Sequence, residues 1–412
     1  MSNAPYVKLR DLCDVNQGLQ IPISKRFREG GENRYFYITV QFLKDSYLEK
    51  FYVENPPQSS ICNEDDIIVV RTGSTGQIIT GVKGCFHNNF FKINYDKEKV
   101  VGKFLYYCLT SKDKKMEMKR RAGITTIPDL NHFMFLDMEI PLPEYSQQLK
   151  ATNILDVLSK KIELNNKINA ELESMAKLIY DYWFVQFDFP DEYGNPYKSS
   201  GGKMVYNEEL KRDIPEGWSD GALSDLGEIV GGSTPSTKNA ANFVDHGTPW
   251  ITPNDLSKNE GNKFITRGGQ DITDTGVKSA SLNLYPKNTV LLSSRAPIGY
   301  MAIARNELTT NQGFKSFVPT KGYSSEFIFY TVKNAMKVIV QYSSGSTFKE
   351  ISGGVLKTVK IVLPKTEVVN KYIEIVSDVF EKQNMLELES KKLSNLRDWI
   401  LPMLMNGQVK IK

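Results

Sequence analysis

Apolar residues recur at heptad spacing in two separate stretches of the chain. Leu158, Asn165, Leu172 and Ile179 lie seven residues apart, with Ile168, Met175 and Tyr182 three positions further on. Val379, Leu386, Leu393 and Ile400 repeat the spacing, with Leu396 and Met403 on the second stripe. Lys, Glu and Asn fill the positions between, so each stretch predicts a helix that buries one narrow seam. The two series lie 221 residues apart, from Leu158 to Val379. Matched helices of this kind favour pairing with each other over lying singly on their own domains. Asn165 falls on the seam and reads as a register device, with a solvent-exposed edge as the alternative.

Nearly the same offset runs through the rest of the chain. Leu9-Arg10-Asp11-Leu12 corresponds to Leu223-Ser224-Asp225-Leu226, and each precedes a glycine-containing turn, Gln17-Gly18 and Gly231-Gly232-Ser233-Thr234-Pro235-Ser236. Strand-like runs at 66–70 and 289–292 lead into Arg71-Thr72-Gly73-Ser74-Thr75-Gly76 and Arg295-Ala296-Pro297-Ile298-Gly299. Asn88-Asn89-Phe90-Phe91-Lys92 then matches Asn311-Gln312-Gly313-Phe314-Lys315, and 103–107 matches 326–330. Ala122-Gly123-Ile124-Thr125-Thr126 matches Ser344-Gly345-Ser346-Thr347, ahead of Leu-Pro pairs at Pro143 and Pro364. Two copies are too few for a solenoid and imply two similar domains.

The predicted order is a domain over 1–144, a helix over 145–186, a connector over 187–218, a second domain over 219–365, a helix over 366–404 and a tail over 405–412. The expected fold class is α+β: two similar mixed α/β domains separated by two long antiparallel helices forming a coiled coil. Antiparallel pairing follows if equivalent units meet through one surface about a two-fold axis. A helix of about 30 residues at ~1.5 Å each would hold the domains roughly 45 Å apart. The connector is dense in Gly, Pro, Ser and Asn, and its aromatics Phe187, Phe189, Tyr193, Tyr197 and Tyr206 are available to anchor it to the helices.

Composition narrows the class. The chain has 412 residues, 40% hydrophobic, 24% charged and 11% aromatic, which excludes general disorder and a small disulfide-held fold. Its most apolar stretches are short and interrupted by Asp, so no membrane span is expected. Cys13, Cys62, Cys85 and Cys108 form no CxxC pair, and no secretory leader is read at the N-terminus. They read as reduced thiols of a cytoplasmic protein. The net charge of +4 is mild. One dense basic run, KDKKMEMKRR at 112–121, stands equally as a solvated helix face and as a phosphate-contacting surface.

Catalytic signatures do not assemble. Asn55-Pro56-Pro57-Gln58 lacks the aromatic that would stack on a flipped base in an amino-methyltransferase, and reads as a loop turn. Asp191 with Glu209 and Lys211 mimics a nuclease metal motif, but acidic-x-Lys recurs elsewhere in the chain. Phosphate-loop and nucleophile motifs are absent, and His87, His132 and His246 do not cluster. No catalytic, cofactor-binding or metal-binding residue is expected.

The run 187–218 and the ending Leu396-Arg397-Asp398-Trp399-Ile400-Leu401-Pro402 with Met405-Asn406-Gly407-Gln408-Val409 resemble the specificity subunit of type I restriction–modification enzymes. The two-copy plan extends the resemblance over the whole chain. It implies a non-catalytic subunit whose two target recognition domains each read half of a bipartite site in double-stranded DNA, while the helices set the gap. It also implies two methyltransferase subunits that use S-adenosylmethionine to methylate adenine. Two motor-nuclease subunits using ATP and magnesium would complete the restriction enzyme, and none of these cofactors would sit on this chain. A rod of roughly 45 Å matches about 13 base pairs at ~3.4 Å each. A self-contained DNA-modifying or DNA-cleaving enzyme is the alternative. A two-headed protein- or glycan-binding module would fit the repeat but not the central and terminal segments.

Base edges are read by Arg, Lys, Asn and Gln, and phosphates are held by Ser, Thr and backbone amides. Such groups recur in the repeated loops. The candidates are Gln17, Arg71, Ser74, Thr75, Asn88, Asn89, Thr125 and Thr126 in the first domain. In the second they are Ser233, Thr234, Ser236, Arg295, Tyr300, Asn311, Gln312, Ser346, Thr347 and Lys349. Ordinary tight turns and satisfied buried amides are the alternatives at these positions.

Overall fold

The computed structural model describes residues 4–44, 49–123, 128–295, 297–343 and 350–409. The chain forms two compact units, one of residues 1–162 with 392–412 and the other of residues 163–391. The division falls inside both long helices, Tyr145–Tyr180 and Thr366–Met405. Each unit is therefore one globular region built together with one end of each helix, where the sequence suggested helices standing apart from the domains.

In the first unit the strand Tyr6–Lys8 pairs antiparallel with Glu139–Pro141, closing the domain on itself. Its main sheet has the order Cys13–Gln17, Phe90–Tyr95, Ile67–Val70, Ile78–Ile79, all antiparallel. The run Ile67–Val70 is buried throughout, because its alternating side chains enter two different cores. Ile67 and Val69 pack in a cluster with Phe104 and Leu105 of the helix Gly102–Thr110, while Ile68 and Val70 face Ile38 and Phe86 of a second sheet. In that second sheet Arg34–Ile38 runs parallel to Gly84–Phe86, with Tyr37 opposite Cys85.

The second unit repeats this plan. Ser219–Ala222 pairs with Lys360–Leu363. The main sheet runs Glu228–Gly231, Lys315–Val318, Val290–Ser294, Ile298–Ala304, with Phe264–Ile265 added at the edge. Val290 and Leu292 enter one core and Leu291 another, as their counterparts do. In its second sheet Thr248–Ile251 runs parallel to Thr309–Thr310. The class is α+β, and the repeat seen along the sequence is a duplicated topology.

The two long helices run antiparallel in each unit. In the first, Ala151 and Leu155 share a core with Leu401, Leu404 and Met405. In the second, Asn165 Nδ2 donates to Glu389 Oε2 at 2.7 Å, and Gln383 Nε2 donates to the Asn169 carbonyl at 3.3 Å. Asn165 is thus buried at the seam. Val379 and Leu386 are buried, and Leu158, Leu172, Ile179, Leu393, Ile400 and Met403 are half-buried.

The second stripe requires correction. Ile168 and Met175 are 36% and 44% exposed, and Tyr182 and Leu396 are exposed as well. In the first helix the buried partners of the seam lie four residues on, at Asn169, Ala176 and Trp183. At Asn169 the side-chain Nδ2 donates to Glu387 Oε1 at 3.5 Å while the backbone carbonyl accepts from Gln383 Nε2, and Ala176 sits where Tyr180 and Tyr372 fill the space. A polar and a small residue hid the true stripe behind larger apolar neighbours.

The connector is folded onto the second unit. After one π turn at Asp181–Val185 the chain reverses through Phe187 at φ 68°. Phe189 stacks on Tyr197 at 4.7 Å and on Trp218 at 5.0 Å between ring centroids, and Met204–Asn207 forms a hairpin with Arg212–Pro215. Tyr193 and Tyr206 are exposed and anchor nothing, contrary to the sequence expectation.

Candidate nucleic-acid interface

In the first unit the turn after Gln17, the loop after Arg71 and the tight turn at Asn88 lie side by side. Gln17 Nε2 donates to the Asn88 carbonyl at 3.3 Å, and the Arg71 amide donates to the Asn89 carbonyl at 2.7 Å. Gly18 is required here, since a Cβ would stand 2.2 Å from the Phe86 carbonyl oxygen. Asn88 Nδ2 donates to Gln20 Oε1 at 3.2 Å, adding an amide that the sequence reading passed over. Ser74 is half-buried at the rim of a concave surface. Thr75 is a correction: it is buried, and its hydroxyl donates to the Pro128 carbonyl at 3.0 Å to hold the turn. Thr125 and Thr126 lie outside the described residues.

The second unit assembles the corresponding edge. Ser233 N donates to the Thr310 carbonyl at 3.0 Å and Thr234 Oγ1 donates to Gln312 Oε1. Gly232 approaches so closely that a Cβ would stand 2.1 Å from the Asn311 carbonyl oxygen. Arg295 and Asn311 line one cleft of about 560 Å³, together with Thr252, Asn254 and Glu350. Asn311 Oδ1 accepts from Gly313 N at 2.9 Å, and Gln312 projects into solvent. Ser236 is exposed, while Tyr300 is held through its amide, which donates to Ser293 Oγ at 2.8 Å. Ser346, Thr347 and Lys349 lie outside the described residues.

Two acidic partners were missed. Arg71 makes a bidentate pair with Asp129, Nε to Oδ1 at 2.6 Å and Nη2 to Oδ2 at 2.8 Å. This holds the Asp129 carboxyl below its usual range. Arg295 faces Glu350 at 3.7 Å in the same place in the repeat. The signal was available: each acid follows the repeated Gly-Thr loop by a few residues, at almost the same offset as the arginines.

The basic run forms the helix Lys112–Arg121, opened by Ser111, whose hydroxyl accepts from Lys114 N at 3.4 Å. Lys114 and Arg121 both bind Glu117, at 2.7 and 2.9 Å. Lys115 and Lys119 are exposed beside the turn Gly73–Gly76 and make no ion pair among the described residues.

The second unit contains a buried ionic cluster away from these loops. Lys263 Nζ lies 2.7 Å from Glu173 Oε2, 2.7 Å from Gln383 Oε1 and 3.0 Å from the Tyr330 hydroxyl. Burial lowers its ammonium pKa to about 8 against the attraction of Glu173. Burial opposes ionisation of Glu173 too, but Lys263 and Lys333 outweigh it and bring the carboxyl to about 2. Glu387 accepts from the Lys263 and Phe264 amides at 2.7 and 3.2 Å and pairs with Arg305. These groups fix the edge strand Phe264–Ile265 to the helices and touch none of the loop candidates. Asp191 caps Tyr193 and Asn195 amides, both at 2.8 Å, and Glu209 pairs with Lys360, so the nuclease-like residues serve local structure. No metal-binding group of three or more His, Cys, Asp or Glu occurs among the described residues, nor any helix long and apolar enough to cross a membrane.

Each copy of the duplicated α+β domain carries an arginine near carboxamide side chains and is built onto one end of the two long helices. Residues 1–174 and 215–396 match the type I restriction modification DNA specificity domain. The chain belongs to that family. It is 43% identical over 198 residues to the type I restriction enzyme MjaIX specificity subunit of Methanocaldococcus jannaschii, an alignment covering 46% of this chain and 45% of that one. It is 26% identical over 373 residues to the HindI specificity subunit of Haemophilus influenzae, covering 78% and 80%. The chain thus spans about half the length of the first relative and four fifths of the second. Among solved structures, the type I restriction–modification S subunit from M. genitalium superimposes with a TM-score of 0.58 at 16% identity, covering 98% of this chain and 97% of that one. That likeness is one of fold.

Proposed function

We propose that this chain reads a bipartite site in double-stranded DNA, one half with each domain, and that the helix pair sets the gap between the halves. The observation that carries this is the recurrence of one arginine-and-amide edge at the same place in two copies of one domain. Guanidinium and carboxamide groups are the side chains that discriminate base edges. Lys115 and Lys119 add unpaired positive charge beside the first edge, suited to phosphate oxygens.

The chemistry is assigned to other chains: two methyltransferase subunits that use S-adenosylmethionine on adenine, and two restriction subunits that use ATP and magnesium, within the cytoplasm. The purified chain is expected neither to methylate nor to cleave DNA, and to direct methylation once its methyltransferase is added.

The deciding experiment is modification-sensitive sequencing of DNA from cells that express this chain with its methyltransferase. One heptad inserted in each long helix, about 10 Å at ~1.5 Å per residue, should widen the gap by about 3 base pairs and leave both half-sites unchanged. An unchanged gap refutes the reading. Activity of the isolated chain would favour the self-contained enzyme instead.

A further inference from the structure

Each domain repeats not an arginine alone but an arginine beside a carboxylate: Asp129 grips Arg71 bidentately, while Glu350 Oε2 stands 3.7 Å from Arg295 Nη1, beyond hydrogen-bond distance. Arg71 and Arg295 lie 224 residues apart, and Asp129 and Glu350 lie 221 apart, so both halves of the pair follow the duplication. Each arginine stands just after the most buried strand of its sheet, Ile67–Val70 or Val290–Ser294. The backbones are joined as well. Thr72 bridges Asp129 and the Leu130 amide donates to the Arg71 carbonyl at 3.1 Å, while Arg295 bridges Glu350 and the Ile351 amide donates to the Ser294 carbonyl at 3.0 Å.

The geometry of the first pair leaves a usable edge. Asp129 takes Nε and one N–H of Nη2, side-on. Of the five donors of a guanidinium, both on Nη1 and one on Nη2 have no partner among the described residues, and one from each nitrogen forms the end-on fork. That fork matches the O6 and N7 acceptors of guanine in the major groove. A free arginine would sample many rotamers and lose entropy on binding, whereas one held side-on by a carboxylate is already oriented.

We infer that Asp129 and Glu350 are positioning residues that aim Arg71 and Arg295 at one guanine in each half-site. This rests on the proposal that the chain reads DNA. A carboxylate that merely ties two loops together would leave base preference untouched when altered, so specificity separates the two roles.

The test uses the chain with its methyltransferase subunits and reads modified sites by sequencing. The wild-type complex should require a guanine in each half-site. Arg71→Lys should lose discrimination at that one position in the first half-site by about 10-fold, the order expected for one bidentate base contact. Asp129→Asn should relax the same position, Asp129→Glu should restore part of the preference, and the gap and second half-site should not move. Glu350→Gln, at an open and loosely paired site, gives the corresponding test in the second half-site even where Asp129→Asn fails to fold. A folded Asp129→Asn or Glu350→Gln protein with unaltered preference overturns the inference, as does a wild-type half-site that needs no guanine. A wild-type complex without any split recognition site overturns the reading of function beneath it.

Discussion

The two domains share a topology but are fastened to the helices in opposite ways. Tyr107 and Tyr330 are equivalent in the repeat, and each donates its hydroxyl to a helix carboxylate at 2.9 Å. In the first unit that carboxylate is Asp156, shared with the exposed Lys103. In the second it is Glu173, within the buried set of Lys263, Gln383 and Arg305 with Glu387. The source of the difference is the edge strand Phe264–Ile265, which delivers Lys263 to the helices; the first main sheet ends at Ile78–Ile79 with no such strand among the described residues. Buried charge is costly unless every donor and acceptor is met, so the second attachment is demanding in geometry while the first is permissive.

The largest expected effect follows from that contrast. Glu387→Ala strips Arg305 and two backbone amides of their acceptor and should destabilise the second unit by about 3–5 kcal/mol. Asp156→Ala, at a half-buried contact shared with the exposed Lys103, should cost the first unit about 1 kcal/mol. Hydrogen exchange of the complete chain, followed separately at 102–110 and 325–341, measures both. Equal losses would dissolve the comparison.

Acid should find the same asymmetry. Glu173 titrates near 2 in the fold against an ordinary 4.5, so ionisation favours the folded state. The stability it contributes is complete above about 4.5 and is lost as pH falls toward about 2. Thermal unfolding across that window should be steeper for the wild type than for Glu173→Gln.

Smaller effects bear on the loop surfaces. Replacing Lys115 and Lys119 by Gln should flatten the dependence of log K on log salt by about 1.8, at ~0.9 per phosphate contact, uniformly across sequences. Lys333→Gln should leave that slope unchanged, because Lys333 is already paired with Glu173 at 2.7 Å. Smallest of all, Glu350→Gln should relax its half-site by about 3-fold, less than the loss of a full base contact, against about 10-fold for Asp129→Asn, which is of the order of one such contact. The second pair is the looser, at 3.7 Å against 2.6 Å.

What the sequence determined by itself was whatever recurs locally: the duplication, the two heptad stretches, the buried strand before each arginine, and the basic run as a helix. These are set by periodicity and by residue order, which a single chain displays directly. The tertiary structure decided which members of each pattern do the work. It chose Asn169 and Ala176 over Ile168 and Met175, because a seam residue is defined by what faces it. Thr75 turned inward to a carbonyl 53 residues away, and Arg71 met an acid 58 residues away. Lys263 was committed to a helix carboxylate 90 residues earlier in the chain. Contacts of that separation depend on how sheets and helices close on one another, and no spacing within a loop encodes them.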